Sequence, residues 1–208
     1  PTSAYDRIRA ESAGFLLRGD VDIDGVLAGG MPDRRLGLSL VIPLRRGRGR
    51  YARLVRSFED AEPDQYYYPF GDLHVTVFDF LRAREGYARD AGLESRLADV
   101  AGPALEGLAD FRIEWRGVVF SRGAGLICGH DGGRLLEIRR RIRRSLAELG
   151  LPNDERYRSE TAHATFCRFA APPRDPARLV RLIEGARALS LGAEEPLRAE
   201  LVEHDWYN

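Results

Sequence analysis

Two of the four histidines in this 208-residue chain occur in one local frame, Leu73-His74-Val75-Thr76-Val77 and Ala162-His163-Ala164-Thr165-Phe166. Each reads apolar, His, apolar, Thr, apolar. On a β-strand side chains alternate between faces, so each His would share a face with its Thr, roughly 7 Å further along the backbone. An imidazole, with an unperturbed pKa of about 6.5, serves as acid or base near neutral pH. A hydroxyl donates to an oxygen on which negative charge builds. Two such pairs facing one phosphate could hydrolyse a phosphodiester. One imidazole would take a proton from water and the other would return one to the leaving oxygen, with no metal required. The frame does not say which is which. A single His-x-Thr is the polar face of an ordinary strand. The chain has only four threonines, so two such pairs 89 residues apart are a signal.

The elements that must position them follow from periodicity and breakers. Leu36 to Leu44, Leu73 to Leu81, Phe111 to Ser121, Leu126 to His130 and Thr161 to Phe169 read as strands, and Leu197 to Val202 as a last one. Helices are expected at Tyr51 to Phe58, within residues 87 to 108, and after Asp175 as N-cap with Pro176 at the first position. The clearest helix is Leu135 to Leu149, with Leu135, Ile138, Ile142, Leu146 and Leu149 at helical spacing and Gly150 as stop. Its arginines, Arg139, Arg140, Arg141, Arg143 and Arg144, read as a solvated face. The strand and helix order repeats once, approximately, and places the two His strands at corresponding points. Residues 1 to 35 read as a polar arm with one short helix around Tyr5 to Leu17, and residues 36 to 208 as a single domain.

These paired His-x-Thr strands resemble the signature of the two-histidine (2H) phosphoesterases, which include 2′,3′-cyclic phosphodiesterases and bacterial RNA 2′-5′ ligases. The resemblance runs from about Leu36 to the C-terminus. It implies an α+β fold, two lobes related by a pseudo-twofold repeat, antiparallel sheets with flanking helices, and a cleft between them. It also implies metal-independent chemistry on a phosphodiester, with His74 and His163 catalytic, Thr76 and Thr165 on the phosphate, and no cofactor. The expected substrate is a nucleotide or an RNA end carrying a 2′,3′-cyclic phosphate. A 2′-5′ phosphodiester hydrolase or ligase would use the same four side chains. A module that binds nucleotides or RNA ends without turnover is the alternative of another class, although binding alone needs no two titratable groups on opposite sides.

Other residues carry less. Tyr66 and Tyr68, with Tyr67, precede the first motif and are candidate substrate contacts by base stacking; packing at a strand entrance is the simpler explanation of them. Tyr157 and Arg158 precede the second motif in the same way. Asp79 and Arg168 each lie five residues beyond a motif His, which strict alternation assigns to the opposite strand face. His130 reads as a strand end and His204 as a surface or edge residue. Asp20 to Gly25 (DVDIDG) opens like a calcium loop, but its twelfth position is Met31 where a bidentate Glu is wanted, so it is read as an acidic turn.

The composition bounds the rest. Formal net charge is zero, so no global field favours long duplex nucleic acid. Every basic residue is arginine, which codon bias explains. Cys128 and Cys167 lie in no zinc or redox spacing, and no apolar run is long enough to cross a bilayer. A monomeric, cytoplasmic protein without a membrane partner is expected.

Overall fold

In the computed structural model, residues 3–30, 32–107, 111–155, 157–196 and 198–205 are described. The elements run α1 (Ala4–Leu17), α2 (Gly25–Gly29), β1 (Leu36–Pro43), α3 (Arg48–Glu59), β2 (Tyr66–Tyr67), a 3-10 turn (Phe70–Asp72) and β3 (His74–Arg84). They continue with α4 (Ala91–Ala104), β4 (Ile113–Phe120), β5 (Ala124–His130), α5 (Arg134–Glu148), β6 (Ala164–Arg168), α6 (Pro176–Gly185), β7 (Ser190–Glu194) and β8 (Glu200–His204). Among the described residues every pairing between these strands is antiparallel, and one isolated parallel bridge joins Leu81 to Asp154. One sheet has the order β3-β1-β8 and the other β2-β6-β5-β4-β7. This is the two-sheet α+β architecture that the resemblance implies. No helix among the described residues is long and apolar enough to cross a membrane.

The core forms where sequence periodicity says it should. Leu38, Leu40 and Ile42 of β1 and Val75, Val77, Phe78 and Phe80 of β3 are buried, and α4 and α5 cover them. In the other sheet Phe120 and Phe166 pack on Phe58 of α3, with ring centroids 5.6 and 5.4 Å away. Aromatic contacts of this kind add to the burial of their large surfaces. Asp175 caps α6 by accepting from the Arg178 amide at 2.8 Å. Asp131 does the same work for α5, accepting from the Leu135 amide at 2.6 Å.

Several stretches differ from the sequence expectation: α2, β2 and β7 are additional elements, and β8 begins later. β7 is an additional strand: it is a five-residue edge, SLGAE, whose central Gly192 has φ +109°. β8 runs Glu200–His204 rather than from Leu197, which lies outside the described residues, as does Met31. The segment 1–35 holds the expected helix and α2. Ser3 and Asp6 close a capping box on α1. Tyr5, Phe15 and Leu16 of α1 are buried, Tyr5 against Val119, Ala124, Leu126 and Cys128. The Tyr5 hydroxyl also donates to the Gly129 carbonyl and accepts from its amide, both at 3.1 Å.

Candidate active site

Both motif strands carry the expected alternation at the His and Thr. Val75 and Ala164 are fully buried, while His74, Thr76, His163 and Thr165 are partly exposed. One residue later each strand breaks step. Leu40 pairs with Phe78 but Val41 pairs with Thr76, so Val77 is an extra residue in β3. Gly125 pairs with Cys167 but Leu126 pairs with Thr165, so Phe166 is an extra residue in β6. A bulge of one residue reverses the facing of everything beyond it. Both bulges fall three residues after the motif His. They bring Asp79 and Arg168 to the face that carries the His and Thr, which corrects the assignment from strict alternation.

The first lobe surrounds His74. Its Nδ1 donates to the Asp72 main-chain carbonyl at 2.7 Å, which leaves Nε2 as the nitrogen that bond does not engage. Burial lowers its pKa, the bond to Asp72 opposes that, and His204 lowers it further against Asp79. His204 is therefore no isolated edge residue. The fully buried Ser39 hydroxyl donates to Asp79 Oδ1 at 2.7 Å and lies 2.6 Å from His204 Nε2, and His204 Nδ1 bonds the Asp205 carbonyl. The register places Asp79 and Ser39 opposite each other, on the face of Thr76 and Val41. The Ser39 hydroxyl thus bridges the Asp79 carboxylate and the His204 ring.

The second lobe surrounds His163, whose Nδ1 lies 2.7 Å from the Thr161 hydroxyl. Its pKa is lowered from 6.5 to about 4, first by burial, then by Arg139, His74 and Arg168. His74 is thus within electrostatic reach of His163, and the strands β3 and β6 that carry the two motifs touch. His163, Thr165, Thr161, Arg168, Tyr157 and Arg158 line one cavity of about 670 Å³. Helix α1 forms one wall of it through Ala4, Arg7, Ile8 and Glu11. His74 and Thr76 face the site from β3 and are not part of that cavity's lining. The hydroxyls of Thr76 and Thr165 have no hydrogen-bond partner among the described residues, so both are available to an incoming ligand.

The remaining sequence candidates fall around this centre. Tyr68 is buried, and its hydroxyl accepts from Arg168 Nε at 2.9 Å. Tyr66 packs edge-on against Tyr68 with centroids 5.0 Å apart. Tyr67 turns the other way and donates to the Glu62 carbonyl at 3.0 Å. Tyr157 is 57% exposed at the cavity rim. Sequence reasoning missed His204, Ser39 and the walling by α1. It also put Arg139 on a solvated face, whereas Arg139 is 1% exposed and points in between the motif segments. Arg139 is four residues beyond Leu135 and three before Ile142, so helical spacing places it on the core stripe.

No protein family and no curated protein sequence matches the chain. Solved structures do. The MHV ns2 PDE domain is similar at a TM-score of 0.53 and 14% identity, over 82% of this chain and 99% of that one. A structure described as a phosphoesterase aligns at 0.47 and 13%, over 84% and 97%. TT0787 of Thermus thermophilus aligns at 0.42 and 16%, over 83% and 82%. The chain thus has the fold of the MHV ns2 PDE domain, the bilobal α+β fold that the resemblance to the 2H phosphoesterases implies.

Proposed function

We propose that the chain is a metal-independent 2H phosphodiesterase that hydrolyses a 2′,3′-cyclic phosphate on a nucleotide or RNA end. The observation that carries this reading is the pair of bulged strands, each presenting an imidazole and an unengaged threonine hydroxyl, brought into contact from opposite sheets. The fold shared with a PDE domain supports it. In this reading residues 36–208 are the bilobal catalytic unit, and residues 1–35 are an arm whose helix closes one side of the pocket.

The surroundings divide the chemical labour that the symmetric motifs leave open. His163, pressed by two guanidiniums, is neutral at pH 7 and is the base. It takes a proton from water as the oxygen attacks phosphorus. Burial lowers the pKa of His74 too, but the main-chain carbonyl on its Nδ1 and Asp79 work against that, and the approaching phosphodiester anion supplies the rest of what the imidazolium needs. As the bond from phosphorus to the ribose oxygen breaks, His74 Nε2 protonates that oxygen. Thr76 and Thr165 donate to the non-bridging oxygens, where charge grows. Arg168 and Tyr68 border the same site.

Incubation with 2′,3′-cyclic nucleotides, 2′-5′ dinucleotides and RNA carrying a cyclic end, followed by product identification, tests the reading. A 2′- or 3′-monophosphate from the cyclic substrates is the expected product. Turnover of the 2′-5′ linkage alone would replace it with the hydrolase or ligase of that linkage. Binding of all three without turnover across several pH values would make the chain a binding module.

A further inference from the structure

Arg139 of α5 is a buried cation with no carboxylate bonded to it among the described residues. Its partners are four main-chain carbonyls. Nε donates to Val77 at 2.9 Å, Nη2 to Thr76 at 2.8 Å and to Thr161 at 2.9 Å, and Nη1 to Ser159 at 3.4 Å. Two of these carbonyls belong to the first motif strand, at its threonine and bulge. The other two belong to the segment that leads into the second motif. Thr161 in turn bonds His163 Nδ1 through its hydroxyl. The Thr76 and Thr161 carbonyls share one nitrogen, so they can be no farther apart than two hydrogen bonds laid end to end.

Stability alone is a poor reason for this side chain. Taking a guanidinium out of water is costly, and apolar residues often replace buried charges at no loss of stability. Carbonyl dipoles solvate the charge but leave it uncancelled. The charged groups facing it are Asp131, which caps α5; Glu155, which is engaged by Arg143 in two bonds of 2.7 Å; and Arg143 itself, with the Tyr5 phenol also near. None of these meets the guanidinium directly.

We propose that Arg139 is the positioning residue of the site: it holds the two His-x-Thr segments at the separation one phosphate spans, and its charge adds to that of Arg168 in neutralising the bound phosphodiester. The inference rests on the phosphodiesterase reading for its ligand, and on geometry alone for its spacing role. The lowering of His163 by Arg139 accords with it.

The test compares Arg139→Met, Arg139→Lys and the wild-type chain. His163 is titrated by NMR without ligand, binding of inorganic phosphate and adenosine 2′-monophosphate is measured by calorimetry, and kcat and KM are measured on a 2′,3′-cyclic nucleotide. In Arg139→Met the His163 titration should move up toward its ordinary value and phosphate affinity should fall by roughly tenfold, the scale of one short-range charge in a protein interior. Arg139→Lys keeps the charge but cannot reach both segments in one plane. It should hold the titration and affinity within a few-fold while kcat falls by roughly tenfold or more at unchanged KM. A folded Arg139→Met with unmoved titration and unmoved phosphate affinity overturns the proposal. If Arg139→Met does not fold, Arg139→Lys decides: full kcat there overturns the spacing role. A wild-type chain that binds neither phosphate probe sinks the phosphodiesterase reading and the ligand half of the proposal. The His163 titration in Arg139→Met still reports whether the Arg139 charge acts on His163.

Discussion

His163 should make the protein selectively fragile in mild acid. Its pKa in the fold is about 4, against 6.5 for the exposed ring. Burial disfavours the imidazolium first, and Arg139, His74 and Arg168 add positive charge around it. Between those two values the unfolded chain binds a proton that the folded chain does not. Stability therefore falls as pH drops through 6.5 and levels off below about 4. At roughly 1.4 kcal/mol per unit, the loss between pH 7 and pH 4 is roughly 3 kcal/mol. His163→Gln keeps an amide within reach of the Thr161 hydroxyl and removes the titration. Urea unfolding followed by the fluorescence of the buried Trp115, at pH values from 4 to 8, gives both stability curves. The wild type should lose roughly 3 kcal/mol more than the variant over that range. Groups common to both that do not interact with His163 drop out of the difference. Parallel curves would refute the view that His163 is held neutral by its surroundings.

Four further outcomes are expected. His74→Ala and His163→Ala should each lower turnover of a 2′,3′-cyclic nucleotide by roughly 10²- to 10⁴-fold, with a bell-shaped pH profile and no effect of chelator in the wild type; a variant keeping full kcat would exclude that His from the chemistry. Thr76→Val and Thr165→Val should each reduce kcat by roughly 10²- to 10³-fold in steady-state kinetics, since each removes a donor to the developing charge. Ser39→Ala should cost about 1–3 kcal/mol in urea unfolding, because Asp79 and His204 lose their shared partner in a buried place. Gly129→Ala should cost about 3 kcal/mol or more by the same measurement. Its Cβ would sit 2.0 Å from the carbonyl oxygen of Ala162, the residue before His163.

Much of this arrangement is legible in the sequence because it depends on periodic burial. β1, β3, β4, β5 and β6 lie where apolar alternation or short apolar runs predict strands, and α5 and α6 where 3.6-residue spacing and caps predict helices. β7 is not legible: five residues with Gly192 at the centre carry neither strand propensity nor a pattern, and pairing with β4 alone makes them a strand. Arg139 is illegible for another reason. Its spacing belongs to the buried stripe, but its residue type argues for solvent, and only the carbonyls of Thr76, Val77, Ser159 and Thr161, far away in sequence, reverse that preference. His204 is likewise fixed by the distant partner Ser39.

The bulges show how a repeat can be exact in geometry and still give each half its own chemistry. Val77 and Phe166 stand at the same offset from their histidines, so the irregularity is as much a part of the repeated frame as the His and Thr. Without it, Asp79 and Arg168 would face the helices, where an unpaired charge is costly. With it, one lobe gains a carboxylate tied through Ser39 to His204, and the other a guanidinium tied to Tyr68. Two identical imidazoles in identical surroundings would compete for the same proton. Burial lowers the pKa of both rings; Asp79 works against that at His74 and Arg168 adds to it at His163, so the charges the bulges bring in act in opposite directions on the two rings, as the proposed division into acid and base requires.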